Sequence, residues 1–303
     1  MAENDPQAIL ASIGRLSWRL AIVLCFPVAL VMLFDTLGWR FAFLRDGVAF
    51  RTLFTARLAG EAFNLVTPTA AVGGEAVKAW LLRGVVPLAA SVPSVIVAKT
   101  TIVLAQGLFL LLGVVLAWSS TPRGSTLFRA MLWLLAIEAM ALAGFVVAQL
   151  RGMLAWGGRL VTQLGVKGVR TEALDRIDDV LARFYRTAPG RLTLSIAFHF
   201  VAWLLGAVET WLILGFLGVP VSLTAATVIE AFATAIRFAT FLIPASLGAL
   251  EGGYVLTFAA LGLGSTTAVS FGLIRRIREA VWIGLGLVAF AAMRTGGEAT
   301  ESS

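Results

Sequence analysis

The sequence predicts an all-α fold: a polytopic helical membrane protein of about seven spans plus two re-entrant half-helix segments, arranged as an internal two-fold repeat. Three observations predict it. Of 303 residues, 59% are hydrophobic and 14% charged, with a mean hydropathy of +0.92, whereas a soluble domain carries about 25% charged residues. Several apolar runs approach the ~20 residues needed to cross ~30 Å of hydrocarbon, and they do not read as the short alternating strands of a membrane barrel. Finally, Pro68, Glu75 and Lys99 recur 176 positions later as Pro244, Glu251 and Arg275.

Residues 1–15 are polar and read as a cytoplasmic N-terminus, and 16–150 as the first membrane repeat. Span one covers about 16–35, follows Arg15 and Arg19, and lacks a small-residue cleavage site, so it is expected to remain as a signal anchor. Span two covers about 47–66. A break opens at Pro68, passes Gly73 and Gly74, and continues as a short helical piece to Arg83. Spans three and four cover about 92–117 and 127–149. Residues 151–190 hold seven Lys or Arg against four acids, the mark of a cytoplasmic loop. Within it Leu174, Ile177, Leu181 and Phe184 recur at helical spacing, and Glu172–Arg176 and Asp179–Arg183 stand four apart. That pattern predicts an amphipathic helix over 171–186 on the cytoplasmic membrane surface, with a plain solvated connector as the alternative, and the charge of loop 151–190 is compatible with contact to anionic lipid. The second repeat occupies 191–293, with spans at about 192–217, 222–242 and 267–292 and a break from Pro244 through Gly248, Gly252 and Gly253 to 262; 294–303 is a polar tail.

Each break, 68–83 and 244–262, is too short for a span and too apolar for an ordinary loop, which predicts a segment that enters and leaves the bilayer on one side, with a Gly-kinked amphipathic helix at the interface as the alternative. Counting spans puts the basic loop on the N-terminal side and makes the repeat parallel; a shift of one span makes it inverted.

Charge inside apolar sequence locates the candidate site. Arg57, Glu61 and Asn64 share one helical face, as do Glu230, Thr234, Arg237 and Thr240. With Glu75, Lys99, Glu251 and Arg275 they form a duplicated polar set. Eight such charges left unpaired in hydrocarbon would cost roughly 20 kcal/mol or more, so they are expected to face a hydrated cleft, with Glu61 opposite Arg237. Half-helix N-termini in the breaks would add free N–H groups for a polar headgroup. A set of structural ion pairs is the alternative. Glu138 and Glu209 have no counterpart in the repeat and rank second, and Arg276, Arg278 and Glu279 read as near-surface charges. Trp18, Trp39, Trp118, Trp133 and Trp156 lie near span ends and read as interfacial anchors.

No cofactor or metal site is expected. Cys25 and His199 are the single cysteine and histidine and read as packing residues. The basic loop lacks nucleic-acid recognition patterns. No Walker loop or nucleophile elbow appears, so the chain is expected not to be an enzyme.

The stretch Arg57 to Pro68 followed by Gly73-Gly74-Glu75, and the second stretch Arg237 to Pro244 followed by Leu247 to Tyr254, resemble the signatures of the flippase-like integral membrane family. That family includes the transmembrane region of lysylphosphatidylglycerol synthase. The block Leu247 to Gly262 with Ile274 to Glu279 is most similar to its hopanoid-biosynthesis-associated members. The resemblance implies a lipid translocase of the bacterial inner membrane, with a hopanoid or related polar-headed lipid as cargo and lipid-synthesis proteins as partners. An intramembrane lipid-modifying transferase and a non-transporting scaffold are the alternatives. The family's soluble aminoacyl-transferase domain has no match in these 303 residues, so lipid aminoacylation is expected to be absent. Lys99 stands where the family often has Arg, which weakens a bidentate phosphate role there.

Overall fold

A computed structural model describes residues 17–67, 72–120, 125–152, 156–157 and 171–301. Among them are ten α-helices and no strand: α1 Ser17–Phe41, α2 Phe50–Val66, α3 Gly73–Leu81, α4 Leu88–Ser120, α5 Thr126–Leu150, α6 Thr171–Thr187, α7 Pro189–Phe216, α8 Leu223–Ala239, α9 Ala249–Ala260 and α10 Ser265–Glu301. Local chemistry sets the starts. Ser125 and Ser222 accept the N–H groups of Phe128 and Ala225 as N-caps, and Pro189 opens α7, where its missing N–H costs nothing.

The protein is an all-α polytopic membrane protein. Residues 21–41 of α1, 88–118 of α4, all of α5 and all of α7 are long and apolar enough to cross a bilayer. With 37 residues α10 is longer still, but Arg275, Arg276, Arg278 and Glu279 interrupt its apolar run. It continues into the expected polar tail as far as Glu301, so residues 294–301 of that tail are helical. The 17-residue helices α2 and α8 rise only about 25 Å. Each folds back against the short helix that follows it, so α2–α3 and α8–α9 are helical hairpins.

The repeat is visible in space. α3 begins at 73 and α9 at 249, the same 176-residue offset as the sequence motif. Helices α1 to α4 form one copy and α7 to α10 the other, with α5 and α6 between them. α1 and α7 pack along each other, while α2 packs on α10 and α8 on α4, the same contact made twice. The copies run antiparallel. Arg19 lies over Phe216, Asp35 meets His199, and Ser195 donates to the carbonyl of Gly38, so residue numbers fall on α7 as they rise on α1. The repeat is therefore inverted, which corrects the parallel reading. The span count went astray at α2 and α8: each turns back beside its partner instead of emerging at the far end. The expected N-terminal segment 1–15 and the turn residue Pro68 lie outside the described residues.

One apolar core gathers Trp39, Phe43, Leu53, Leu82, Val95, Leu181 and Phe184, joining the end of α1, the start of α2, the end of α3 and the start of α4 to α6. Both ends of the α2–α3 hairpin thus lie at the α6 end of the bundle, and the start of α1 lies at the other. Trp39 is 1% exposed and donates to Ser94, so it is a core residue and not an anchor; Trp18, Trp118, Trp133 and Trp156 are exposed.

Close backbone approach closes the first hairpin. A Cβ on Gly74 would strike the carbonyl oxygen of Gly60 and the Asn64 side chain. In the second, Gly248 takes φ +80° before α9, a left-handed geometry that glycine adopts without strain. Pro244 begins a single 3₁₀ turn, Gly253 fits against Ile236, and Gly252 faces open space.

Candidate functional site

Two ionic clusters occupy equivalent places in the two copies. In the first, Arg57 of α2 donates to Asp35 of α1 at 2.9 Å and lies 3.5 Å from Glu61, one turn further along. Lys78 of α3 sits 2.7 Å from Glu75 and 3.5 Å from Glu61, with Trp39 beneath it. Asn64 ties the hairpin together: its Nδ2 donates to Glu75 at 3.3 Å, and its Oδ1 accepts the N–H of Gly74 at 2.9 Å. His199 of α7 is fully buried with Nδ1 2.8 Å from Asp35.

In the second cluster, Arg275 of α10 lies 2.8 Å from Glu230 and 3.5 Å from Glu209, and donates to the Tyr254 hydroxyl at 3.2 Å. Thr210 donates to the same Glu230 oxygen that Arg275 contacts, at 2.7 Å. Arg278 grips both oxygens of Glu209, at 2.6 and 2.8 Å. Arg237 pairs with Glu279 at 3.0 Å, and Arg276 bridges Glu279 and Glu251, both at 2.7 Å. Buried charges survive when paired, and each acid and base of these clusters has an opposite charge within 3.5 Å, although Nε of Arg57, Nε of Arg275 and one terminal nitrogen of Arg276 are buried without a hydrogen-bond partner among the described residues. The 176-residue offset carries Lys78 onto Tyr254, so a cation in one copy is replaced by a neutral donor in the other.

The clusters meet at a cavity of about 200 Å³. Glu61 from the first copy lines it together with Glu230, Arg237, Arg275, Arg278 and Glu279 from the second, against apolar walls of Val28, Met32 and Trp203. The geometry therefore brings Glu61, Glu230, Arg237 and Arg275 to one space. Arg57, Asn64 and Glu75 stand behind Glu61 in the same network. Lys99 is half-buried and forms no ion pair among the described residues. Glu251 lies outside the cavity lining and half-exposed.

Three expectations change. Glu61 and Arg237 share the cavity but do not pair: Arg57 and Lys78 hold the one, Glu279 the other. The half-helix N-termini do not offer their first N–H groups to a ligand, because Asn64 takes that of Gly74 and Glu251 reaches back to that of Gly248 at 2.8 Å. Glu209, Arg276, Arg278 and Glu279 are core members of the second cluster and not peripheral charges. Glu138 stands apart: it is buried in α5 with neither carboxylate oxygen hydrogen-bonded.

Sequence reading missed Asp35, Lys78 and the packing partner His199. Lys78 carried a usable signal, standing three residues after Glu75 on the same face of a short helix. Asp35 and His199 carried none, because their pairing depends on the antiparallel contact of α1 with α7. Among the described residues no group of three or more His, Cys, Asp or Glu side chains is arranged to hold a metal ion.

A family model described as lysylphosphatidylglycerol synthase TM region matches residues 1–287. No curated protein and no solved structure matches the chain.

Proposed function

The chain belongs to the family of lysylphosphatidylglycerol synthase transmembrane regions, and from that premise we propose that it is a lipid translocase acting without covalent chemistry. The polar cavity shields a headgroup while the tails stay in the bilayer. One observation carries this reading: Glu61 of one copy and Glu230, Arg237 and Arg275 of the antiparallel copy face the same space. Inverted repeats around a mid-membrane polar site are a recurrent basis for exposing that site to either face in turn. The polar-headed cargo we propose is a hopanoid or related lipid, on the strength of the resemblance of 247–262 with 274–279, and the location a bacterial inner membrane. Lipid-synthesis proteins that deliver such a cargo are the proposed partners.

In this reading α1, α4, α5, α7 and α10 cross the bilayer, and α2–α3 and α8–α9 are re-entrant hairpins that dip in from opposite faces. The α6 end, which carries Arg45, Arg83, Arg186 and Arg191, is the cytoplasmic face by the excess of positive charge in its loops. The start of α1 then lies outside, opposite to the sequence-based expectation for residues 1–15.

The test is lipid transfer between leaflets of vesicles reconstituted with the purified chain. Glu61→Gln and Arg237→Ala should leave expression and folding intact, since Arg57 keeps Asp35 and Glu279 keeps Arg276, yet abolish transfer. Wild-type transfer by both variants would refute the assignment. Chemically altered lipid after incubation, seen by mass spectrometry, would point instead to a transferase.

A further inference from the structure

A buried acid stands outside both ionic clusters. Glu138 is 1% exposed, and neither of its carboxylate oxygens has a hydrogen-bond partner among the described residues. It lies at the centre of α5, with twelve residues between it and either terminal residue, Thr126 or Leu150, counting the terminal one. That is about 18 Å along the axis at 1.5 Å per residue, which is the middle of ~30 Å of hydrocarbon. α5 turns most of its surface outward: its buried residues are Leu127, Phe128, Met131, Glu138 and Gln149. Between Met131 and Gln149 the single buried residue is therefore an acid.

Its surroundings supply no counter-charge. Oε1 lies 3.8 Å from the position a Cβ would take on Gly107, so the carboxyl rests on the bare backbone of α4. α5 packs on α4, α8, α9 and α6. On α4, Lys99 stands eight residues before Gly107, about 12 Å along the axis. On α8, Glu230 and Arg237 are paired with Arg275 and Glu279, and on α9, Glu251 is paired with Arg276. α6 meets the end of α5, where Tyr185 donates to Gln149 and Asp178 lies beside Gly152. On α5 itself Arg129 is exposed, nine residues away. A bare carboxylate at position 138 would leave a charge unpaired in hydrocarbon, whereas the carboxylic acid is neutral.

The position is also a seam. α5 belongs to neither copy but touches α4 of the first and α8 and α9 of the second. Next to Gly107, Gln106 crosses from α4 to α8 and donates to the Thr234 carbonyl at 3.1 Å, and Thr234 lines the ionic cavity. Motion of α8 against α4 therefore alters both that cavity and the wall around Glu138.

We infer that Glu138 is a proton-binding site that couples lipid transfer to the movement of protons. The coupling rests on the transport reading; the site does not. With the seam closed, the side chain carries its proton as a neutral acid. When α4 and α8 part, water reaches the carboxyl and one proton leaves, giving the carboxylate. The reverse step takes one proton from water and restores the acid, so no further reactant is needed. Single acids within membrane helices serve as such relays in pumps and transporters.

The site is tested on the purified chain in phosphatidylcholine vesicles with dicyclohexylcarbodiimide, an apolar reagent to which a carboxylic acid adds through its O–H. Peptide mass spectrometry should find the adduct on Glu138. Glu209 and Glu230, comparably buried but paired with Arg278 and Arg275, should stay unmodified. An unmodified Glu138, or equal modification of all three, would overturn the proton site. Coupling is tested with a nitrobenzoxadiazole-tagged hopanoid polyol placed in the outer leaflet, its position read by dithionite quenching. Under a gradient of about one pH unit, one proton per lipid supports a leaflet imbalance of up to about tenfold at steady state. The wild type should build such an imbalance. Glu138→Gln, a neutral isostere that carries no proton, should reach an even distribution, which also shows that it folds. Glu138→Asp, which keeps an ionisable group, should retain part of the imbalance. An even distribution in the wild type, or an imbalance kept by Glu138→Gln, would overturn the coupling. A probe that never leaves the outer leaflet in the wild type would refute the transport reading and the coupling with it, while the carbodiimide adduct still decides the proton site.

Discussion

Lys78→Met is the sharpest test of the first ionic cluster. Lys78 is 2% exposed, and its ammonium is the direct partner of Glu75 at 2.7 Å and a secondary partner of Glu61 at 3.5 Å. Methionine keeps the apolar stem and removes the charge. Glu61 retains Arg57, but Glu75 keeps only the weaker hydrogen bond from Asn64 at 3.3 Å. Removing one partner of a buried pair costs about 3–5 kcal/mol. The Glu75 side chain is 14% exposed, which puts the expectation near the lower limit, about 3 kcal/mol, or roughly a 160-fold shift in the unfolding equilibrium. The double variant Lys78→Met/Glu75→Gln removes the stranded charge and should recover more than half of that loss. The assay is equilibrium unfolding in mixed micelles by increasing SDS, followed by tryptophan fluorescence. A single-variant loss below about 0.5 kcal/mol, or a double variant less stable than the single one, would refute the claim that Lys78 compensates a buried carboxylate.

Two further outcomes follow from the geometry. Gly74→Val places a Cβ against the Gly60 carbonyl and Asn64, so the α2–α3 hairpin should open and the variant lose ~3 kcal/mol or fail to accumulate; Gly252→Ala, which faces open space, should be silent in the same unfolding assay. Asp46 is held below the usual carboxylate range by the hydrogen bond from Arg191. A depressed folded-state value means its contribution is complete above the unfolded carboxylate range and disappears as pH falls through the folded value. The exposed position keeps the effect small, and Asp46→Asn should flatten the acid limb of a stability–pH profile without changing its neutral plateau.

Much of the fold was legible because hydrocarbon imposes length and composition on every helix, so the starts of α4, α5, α7 and α8 fall within a few residues of the predicted spans. The sense of the repeat was not. It depends on whether α2 and α8 cross or return, and helices of 17 residues permit either; the return is fixed by the seat of Gly74 against Gly60 and of Gly253 against Ile236, contacts that hydropathy does not encode. Charges in apolar sequence identified Glu61, Glu230, Arg237 and Arg275 by their cost alone. Their partners were not predictable in the same way. The offset suggested Glu61 with Arg237, but Lys78 lies nearer to Glu61 through the hairpin, and Glu279 meets Arg237 across the α8–α10 contact. Glu209 was undervalued because the repeat supplies no match for it, although Arg278 clasps it.

The most direct measurement is thiol labelling in intact vesicles, with Cys25 first replaced by alanine and single cysteines placed at positions 61, 230 and 237. Cys25 is exposed and would otherwise report itself. All three positions should react with a membrane-impermeant reagent and be protected together by a polar-headed lipid cargo, because they line one cavity between antiparallel copies and the proposed transport requires that cavity to admit water. Failure of all three to react from either side would mean that the ionic groups are sealed braces and that no headgroup passes between them.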